Sequence, residues 1–236
     1  FKNNSRSCRS YKRFNINFIK KTGFEMFDLY TWPTPNGRKV SILFEELEVK
    51  YSAIPINISK GDQFSGKFKT ISIDNKIPII FDYEKKVYIR ESGIILIYLA
   101  EKYKRFLPSD ENRFDTLQWL MWQMSTLGPI CGQAHHFLYY NPGKSEYSEN
   151  RFKQTTENLY KILNNRLEKF QYVSGANNGE YTIADIAIWP WIARHKRHQI
   201  NLNDYPGVLR WYKEIYDRPA VQKGYHIPHF EEEIPL

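Results

Sequence analysis

Cysteine is almost missing from this chain of 236 residues: there are two, Cys8 and Cys131. Two cysteines exclude a disulfide framework and suit a reducing compartment. No CxxC pair occurs, so redox chemistry here cannot run on a protein dithiol. With no Cys/His cluster either, no structural zinc or other metal site is expected. Long apolar runs are absent too, so no membrane span is expected and the body is read as soluble. An excess of one charge is lacking over most of the length, although the formal total is +8. Residues 1–25 hold seven Lys or Arg against one acid, which leaves +2 for the rest. A near-neutral body does not call for a nucleic-acid partner.

What is present divides in three. Residues 1–25 form a basic leader rich in Arg, Lys and Ser and without hydrophobic periodicity. It reads as a disordered extension or as translated sequence upstream of a start at Met26. An organellar presequence is the alternative, set against a cytoplasmic protein. Residues 26–103 alternate short β-like runs with helical ones, 104–112 make a polar linker, and 113–236 are helical throughout.

In the first half, Phe27–Thr31 reads as a strand, Gly37–Leu47 as a helix with Val40, Leu43, Phe44 and Leu47 on one face, and Tyr51–Ile56 as a strand. This β-α-β unit predicts a parallel, right-handed crossover. The polar stretch 59–75 is irregular. Runs 77-IPIIFDY-83 and 86-KVYI-89 predict an antiparallel pair, and 91–103 a closing helix. In the second half, helical patterns cover 114–140 with a bend near Gly128-Pro129, 149–170, a segment starting at Thr182, and 208–216. The tail 218–236 has too little periodicity to assign.

Several pieces carry chemistry. The strand-to-helix turn 31-TWPTPNG-37 packs two prolines, two threonines, an asparagine and a glycine into seven residues. Ile77-Pro78 heads a strand, so its bond is either an ordinary trans start or a cis turn that points the Ile77 N–H and C=O outward. Glu91-Ser92 opens a helix, where free N–H groups and the dipole favour an anion while Glu91 can take an ammonium group. Plain N-capping is the other reading. Thr182 and Asp185 have capping-box spacing, which predicts a buried, structural Asp185. His135 and His136 point about 100° apart on a helix, which suits packing better than chelation. Cys131 lies in an apolar helical run and reads as an inert core thiol.

Taken in order, these pieces resemble a glutathione transferase, with a thioredoxin-like N-terminal domain (βαβ-ββα, mixed sheet) and an all-helical C-terminal domain. PTPNG, KGDQF, NKIPI, ESG, LQWLMWQ, LGP and GQAHHF are similar to the nu class of that family. The resemblance implies a glutathione-dependent disulfide-bond reductase in which Thr34 and Asn36 meet the glutathione sulfur. It also implies that Gln63, Lys76, Ile77, Pro78, Glu91 and Ser92 hold glutathione, and that Arg151 reaches the neighbouring subunit's site in a homodimer. The substrate is then a disulfide or an electrophile, with glutathione as co-substrate. Two other readings stay open: conventional conjugation with Tyr30 activating the thiol, and a non-catalytic glutathione-binding regulator. Trp122, Gln123, Cys131 and His136 are the candidates for the substrate wall.

Overall fold

A computed structural model describes residues 26–236, and the readings of the leader, Cys8 included, fall outside them. Four strands form one sheet: β1 (Phe27–Thr31), β2 (Tyr51–Pro55), β3 (Ile79–Asp82) and β4 (Val87–Ile89). Their order is β2-β1-β3-β4, with β1 parallel to β2 and antiparallel to β3. Period-2 alternation on β1 buries Phe27, Leu29 and Thr31 toward the core, while Asp28 and Tyr30 take the other face. This is the expected thioredoxin-like half, and Ile77-Pro78 is cis at the entry to β3.

Helix α1 (Pro35–Leu47) follows β1 directly. Val40, Leu43, Phe44 and Leu47, placed on one face by the sequence pattern, are all buried, and Arg38, Lys39 and Ser41 are buried as well. The reason is tertiary: α1 packs on α3 (Ser92–Tyr103) from its own domain and on α7 (Ile183–Ile192) and α9 (Pro219–Tyr225) from the helical one. The irregular stretch after β2 contains a 3-10 turn at Asp62–Phe64 and the short α2 (Gly66–Lys69).

The long pattern predicted for 114–140 begins at Asn112 and is not one regular helix. It runs as α4 (Asn112–Trp122), a wide π-type turn (Gln123–Leu127), α5 (Gly128–Ala134) and a second π-type turn (His135–Tyr140). Pro129 has no N–H to continue the ladder, so the distortion falls just ahead of it. Helix α6 spans Glu146–Leu167 and is capped by the Ser145 hydroxyl. The Thr182–Asp185 capping box is present at the head of α7. Asp185 is fully buried and accepts from the Val173 and Thr182 N–H groups and the Trp211 indole, so its carboxylate ties three segments together. Helix α8 covers Pro206–Tyr216. The tail carries α9, which the sequence pattern left unassigned; Gly224 lets it sit against the backbone of Ile42, where a Cβ would approach the Ile42 Cα to 2.6 Å.

One apolar core runs through both halves, from Phe27, Leu29 and Phe44 to Trp189, Trp211 and Tyr225. Burial of large side chains of this kind contributes about 1.5–3 kcal/mol each. No helix among the described residues is long and apolar enough to cross a membrane.

Candidate glutathione-type cleft

Burial fixes the turn after β1 in one conformation. Thr34 is the N-cap of α1, with φ −105° and ψ 159°, and its Oγ1 accepts from the Gly37 N–H at 3.1 Å. Pro35 takes the first helical position, where no N–H is needed. Gly37 is obligatory by close approach, since a Cβ there would collide with the Trp32 carbonyl oxygen and the Thr31 hydroxyl. Asn36 lies under α7, and the Trp191 Nε1–H donates to its Oδ1 at 3.3 Å. An indole can only donate, so this contact fixes which way the amide faces. The Asn36 NH₂ group is left to donate elsewhere.

Beside it opens a cleft of about 640 Å³ between the two domains, within the usual range for small-molecule sites. Asn36, Lys76, Ile77, Pro78, Glu91 and Ser92 all line it. Glu91 holds φ 63° and ψ 113°, a region that L-residues seldom occupy. Such a conformation costs about 1–3 kcal/mol and collects at ligand clamps. Glu91 makes no side-chain cap on α3, so plain N-capping does not account for it and the first N–H groups of α3 stay open. Lys76 is exposed and pairs with Asp74 at 3.5 Å on the same rim.

Three expected site residues lie elsewhere. Thr34 faces a separate pocket of about 120 Å³ on the other side of the turn, together with Arg194 and Arg197. Gln63 sits half-buried in the 3-10 turn after β2 and does not line the cleft. Arg151 is exposed on α6 and donates to the Tyr147 hydroxyl at 3.1 Å. Tyr30 is also outside the cleft. It packs against Phe68 and Tyr88 in a satellite cluster beyond the sheet, where burial pushes its phenol pKa up.

Two family descriptions match this chain: the glutathione S-transferase N-terminal domain over residues 25–101 and the C-terminal domain over 127–219. The disulfide-bond oxidoreductase YfcG of Escherichia coli (strain K12) is 44% identical over 201 residues, covering 83% of this chain and 92% of that protein. The chain belongs to the glutathione transferase family. A glutathione transferase from Pseudomonas putida, solved with one glutathione disulfide bound per subunit, superposes with a TM-score of 0.81 at 37% identity, covering 86% of this chain and 92% of that one. A glutathione transferase homologue from Lodderomyces elongisporus with two glutathiones per subunit gives 0.81 at 32% identity, covering 87% of this chain and 100% of its own.

In this glutathione transferase, sequence reasoning missed Lys39 and Trp191. Both line the cleft. Lys39 lies one turn beyond Asn36 on α1, a spacing of three residues that puts both on one face and was available as a signal. Its Nζ donates to Gln123 Oε1 at 2.5 Å, Met124 Sδ at 3.3 Å and Ser92 Oγ at 3.4 Å. Of the candidates for the substrate wall, Gln123 and His136 line the cleft. Trp122 turns aside to pack on Trp119. Cys131 is fully buried in α5, and burial pushes its thiol pKa far up. No group of three or more His, Cys, Asp or Glu among the described residues is placed to hold a metal ion.

Proposed function

We propose that this glutathione transferase is a glutathione-dependent disulfide-bond reductase of the nu class. The observation that carries the reading is the Asn36 amide, locked by Trp191 at the head of α1, in a turn that contains no tyrosine, serine or cysteine. A free thiol titrates near pH 8.5, so only about a few per cent is thiolate at neutral pH. A hydrogen bond from the Asn36 NH₂ and the positive end of α1 stabilise that anion without any protein group ionising. Thr34, which faces the small pocket behind the turn, supports that anion by capping α1 and holding the helix head in place.

The chemistry balances on the ligands alone. One glutathione thiolate attacks a sulfur of the substrate disulfide; a new S–S bond forms, the old one breaks, and the departing thiolate takes a proton. A second glutathione thiolate attacks the mixed disulfide, releasing the other thiol and glutathione disulfide. Relatives bind two glutathiones or one glutathione disulfide per subunit, which fits a site that supplies both redox sulfurs. Glu91, Ser92 and Ile77 hold the γ-glutamyl and cysteinyl parts along the cleft, Lys76 meets the glycyl end, Gln63 meets only a ligand that extends past the rim, and Arg151 serves the neighbouring subunit of a cytoplasmic homodimer.

Paired assays test this: reduction of a small mixed disulfide, and conjugation of glutathione to a chlorinated dinitrobenzene. Strong reduction with feeble conjugation, falling roughly 10²-fold in Asn36→Ala as for loss of one charge-stabilising donor, is the expected result. Strong conjugation that dies in Tyr30→Phe assigns the other chemistry. Glutathione binding with neither activity makes the chain a binding protein.

A further inference from the structure

A buried ammonium ordinarily sits against a carboxylate. Lys39 does not. It is 0% exposed, and all three of its donors go to neutral acceptors: the Gln123 amide oxygen, the Met124 thioether and the Ser92 hydroxyl. On the far side of these partners is open cleft. Gln123 is itself fully buried, and its Nε2 has no hydrogen-bond partner. Ser92 stands at the head of the twelve-residue α3, whose first N–H groups are uncapped. A buried cation, an unpartnered buried amide donor and an open helix N-terminus thus converge on one end of the cleft, where Glu91 acts on the cation through the field without bonding to it.

We propose that Lys39 is a positioning residue whose charge is completed by the carboxylate of an amino-acid-like ligand end seated at Ser92, so that binding near neutral pH draws a fraction of a proton onto the chain. The inference rests on the glutathione reading of the cleft. The carboxylate meets the α3 N-terminus and Ser92, and Lys39 acts from behind through the serine hydroxyl and the local field. In the empty cleft burial pulls the amine down to about 7, with Glu91 pushing the other way. A carboxylate on Ser92, the side chain that Lys39 touches, raises it, while the ligand's ammonium on Glu91 offsets that acid's push, and the carboxylate outweighs that offset. Of the titratable groups in the cleft wall, Asp74 is paired with Lys76, and Arg90 donates to the Ile71 carbonyl. His136 stands across on the helical domain. From the helices packed on α1, Asp185 is bound to Trp211, and Lys223 pairs with Glu45.

Because the ligand prefers the protonated form, affinity falls as pH rises through the empty-cleft value. The probe is S-methylglutathione, whose sulfur cannot titrate, and the readout is calorimetry in buffers of different ionisation enthalpy. The expected result is uptake of about half a proton at pH 7, and a Kd about tenfold weaker at pH 8 than at pH 6. In Lys39→Met both the uptake and the slope vanish, while in His136→Gln both persist. Binding with no proton uptake by the unaltered chain overturns the proposal, as does a slope lost in His136→Gln, and neither needs the lysine variant to fold. No binding of S-methylglutathione at any pH sinks the glutathione reading itself, and this proposal with it.

Discussion

The Trp191 indole of α7 donates to the Asn36 Oδ1 of α1 at 3.3 Å, so a residue of the helical domain sets the orientation of the amide in the turn after β1. Trp191→Phe keeps the ring stack on His135 and removes the donor. The amide is then free to rotate and present its oxygen to a thiolate. A drop of about tenfold in kcat/KM for disulfide reduction is expected, near 1.4 kcal/mol. Since both residues act through one hydrogen bond, the Trp191→Phe/Asn36→Ala double variant loses no more than Asn36→Ala alone. Additive losses in that cycle remove the coupling.

Thr34 caps α1, the proposed chemistry gives it a second role, and a single substitution separates the two. Its Oγ1 caps α1 through the Gly37 N–H, worth about 1 kcal/mol. Aspartate caps equally well and adds favourable charge at a helix head. Thr34→Asp is therefore expected to keep the thermal midpoint. That carboxylate faces the small pocket behind the turn, and its field across the turn disfavours a thiolate at Asn36, so disulfide reduction is expected to fall by about tenfold. Thr34→Ala does the reverse in stability, lowering the midpoint. Full activity in Thr34→Asp would detach Thr34 from the chemistry and leave it a cap.

The elements that were legible are those whose signal is local. β1, α3 and the box at Thr182–Asp185 read from period 2, period 3.6 and cap spacing alone. α9 did not, because its seven residues give barely two turns and its place depends on Gly224 meeting Ile42 across the chain. Lys39 was passed over for a related reason: its spacing from Asn36 is legible, but a lysine in an amphipathic helix normally faces water, and the covering helical domain helps bury this one. Asn36 and Thr34 stand two residues apart in one motif, yet one faces the large cleft and the other the small pocket behind it. Neighbours in sequence do not share a cavity when a helix begins between them.

Glu232 in the tail anchors an arginine cluster behind the same turn. It pairs with Arg194, with Arg197 at 2.8 Å and with Arg38 at 3.5 Å. Arg38 also stacks on the Tyr225 ring at 3.5 Å, and Arg194 donates to the Pro33 carbonyl at 3.3 Å. Burial draws both of these guanidiniums down to about 10, and Glu232 is the acid that touches all three. Glu232→Gln leaves them mutually repelling at nearly unchanged volume. Because Glu232 is itself partly exposed, the expected loss is about 2 kcal/mol rather than the full cost of breaking a buried pair. At this chain length that is about 4–8 °C in Tm. An unchanged midpoint by calorimetric melting would show that the tail is merely laid over the arginines.

Acid is expected to destabilise the fold through buried histidines. His135 stacks between Trp191 and His198 at ring distances of 5.8 and 4.5 Å, and the His198 Nδ1 meets the Tyr160 hydroxyl at 2.9 Å. Burial, reinforced by the charges of Arg194 and Arg197, pulls His135 down to about 3, and His198 is drawn well down by burial too. Unfolded, both titrate near 6.5. Below that pH the unfolded chain binds protons that the folded chain refuses, so stability is full at neutral pH and is lost as pH falls. Each histidine that stays neutral costs about 2 kcal/mol by pH 5. Asp185 works in the opposite sense, because burial raises its carboxyl to about 6 and the folded state holds that proton more tightly, returning about 1 kcal/mol over the same range. Urea unfolding at pH 7 and pH 5 measures the balance: a net loss is expected, shrinking by about 2 kcal/mol in His135→Gln. Equal stability at the two pH values would mean that these imidazoles take up protons in the folded protein.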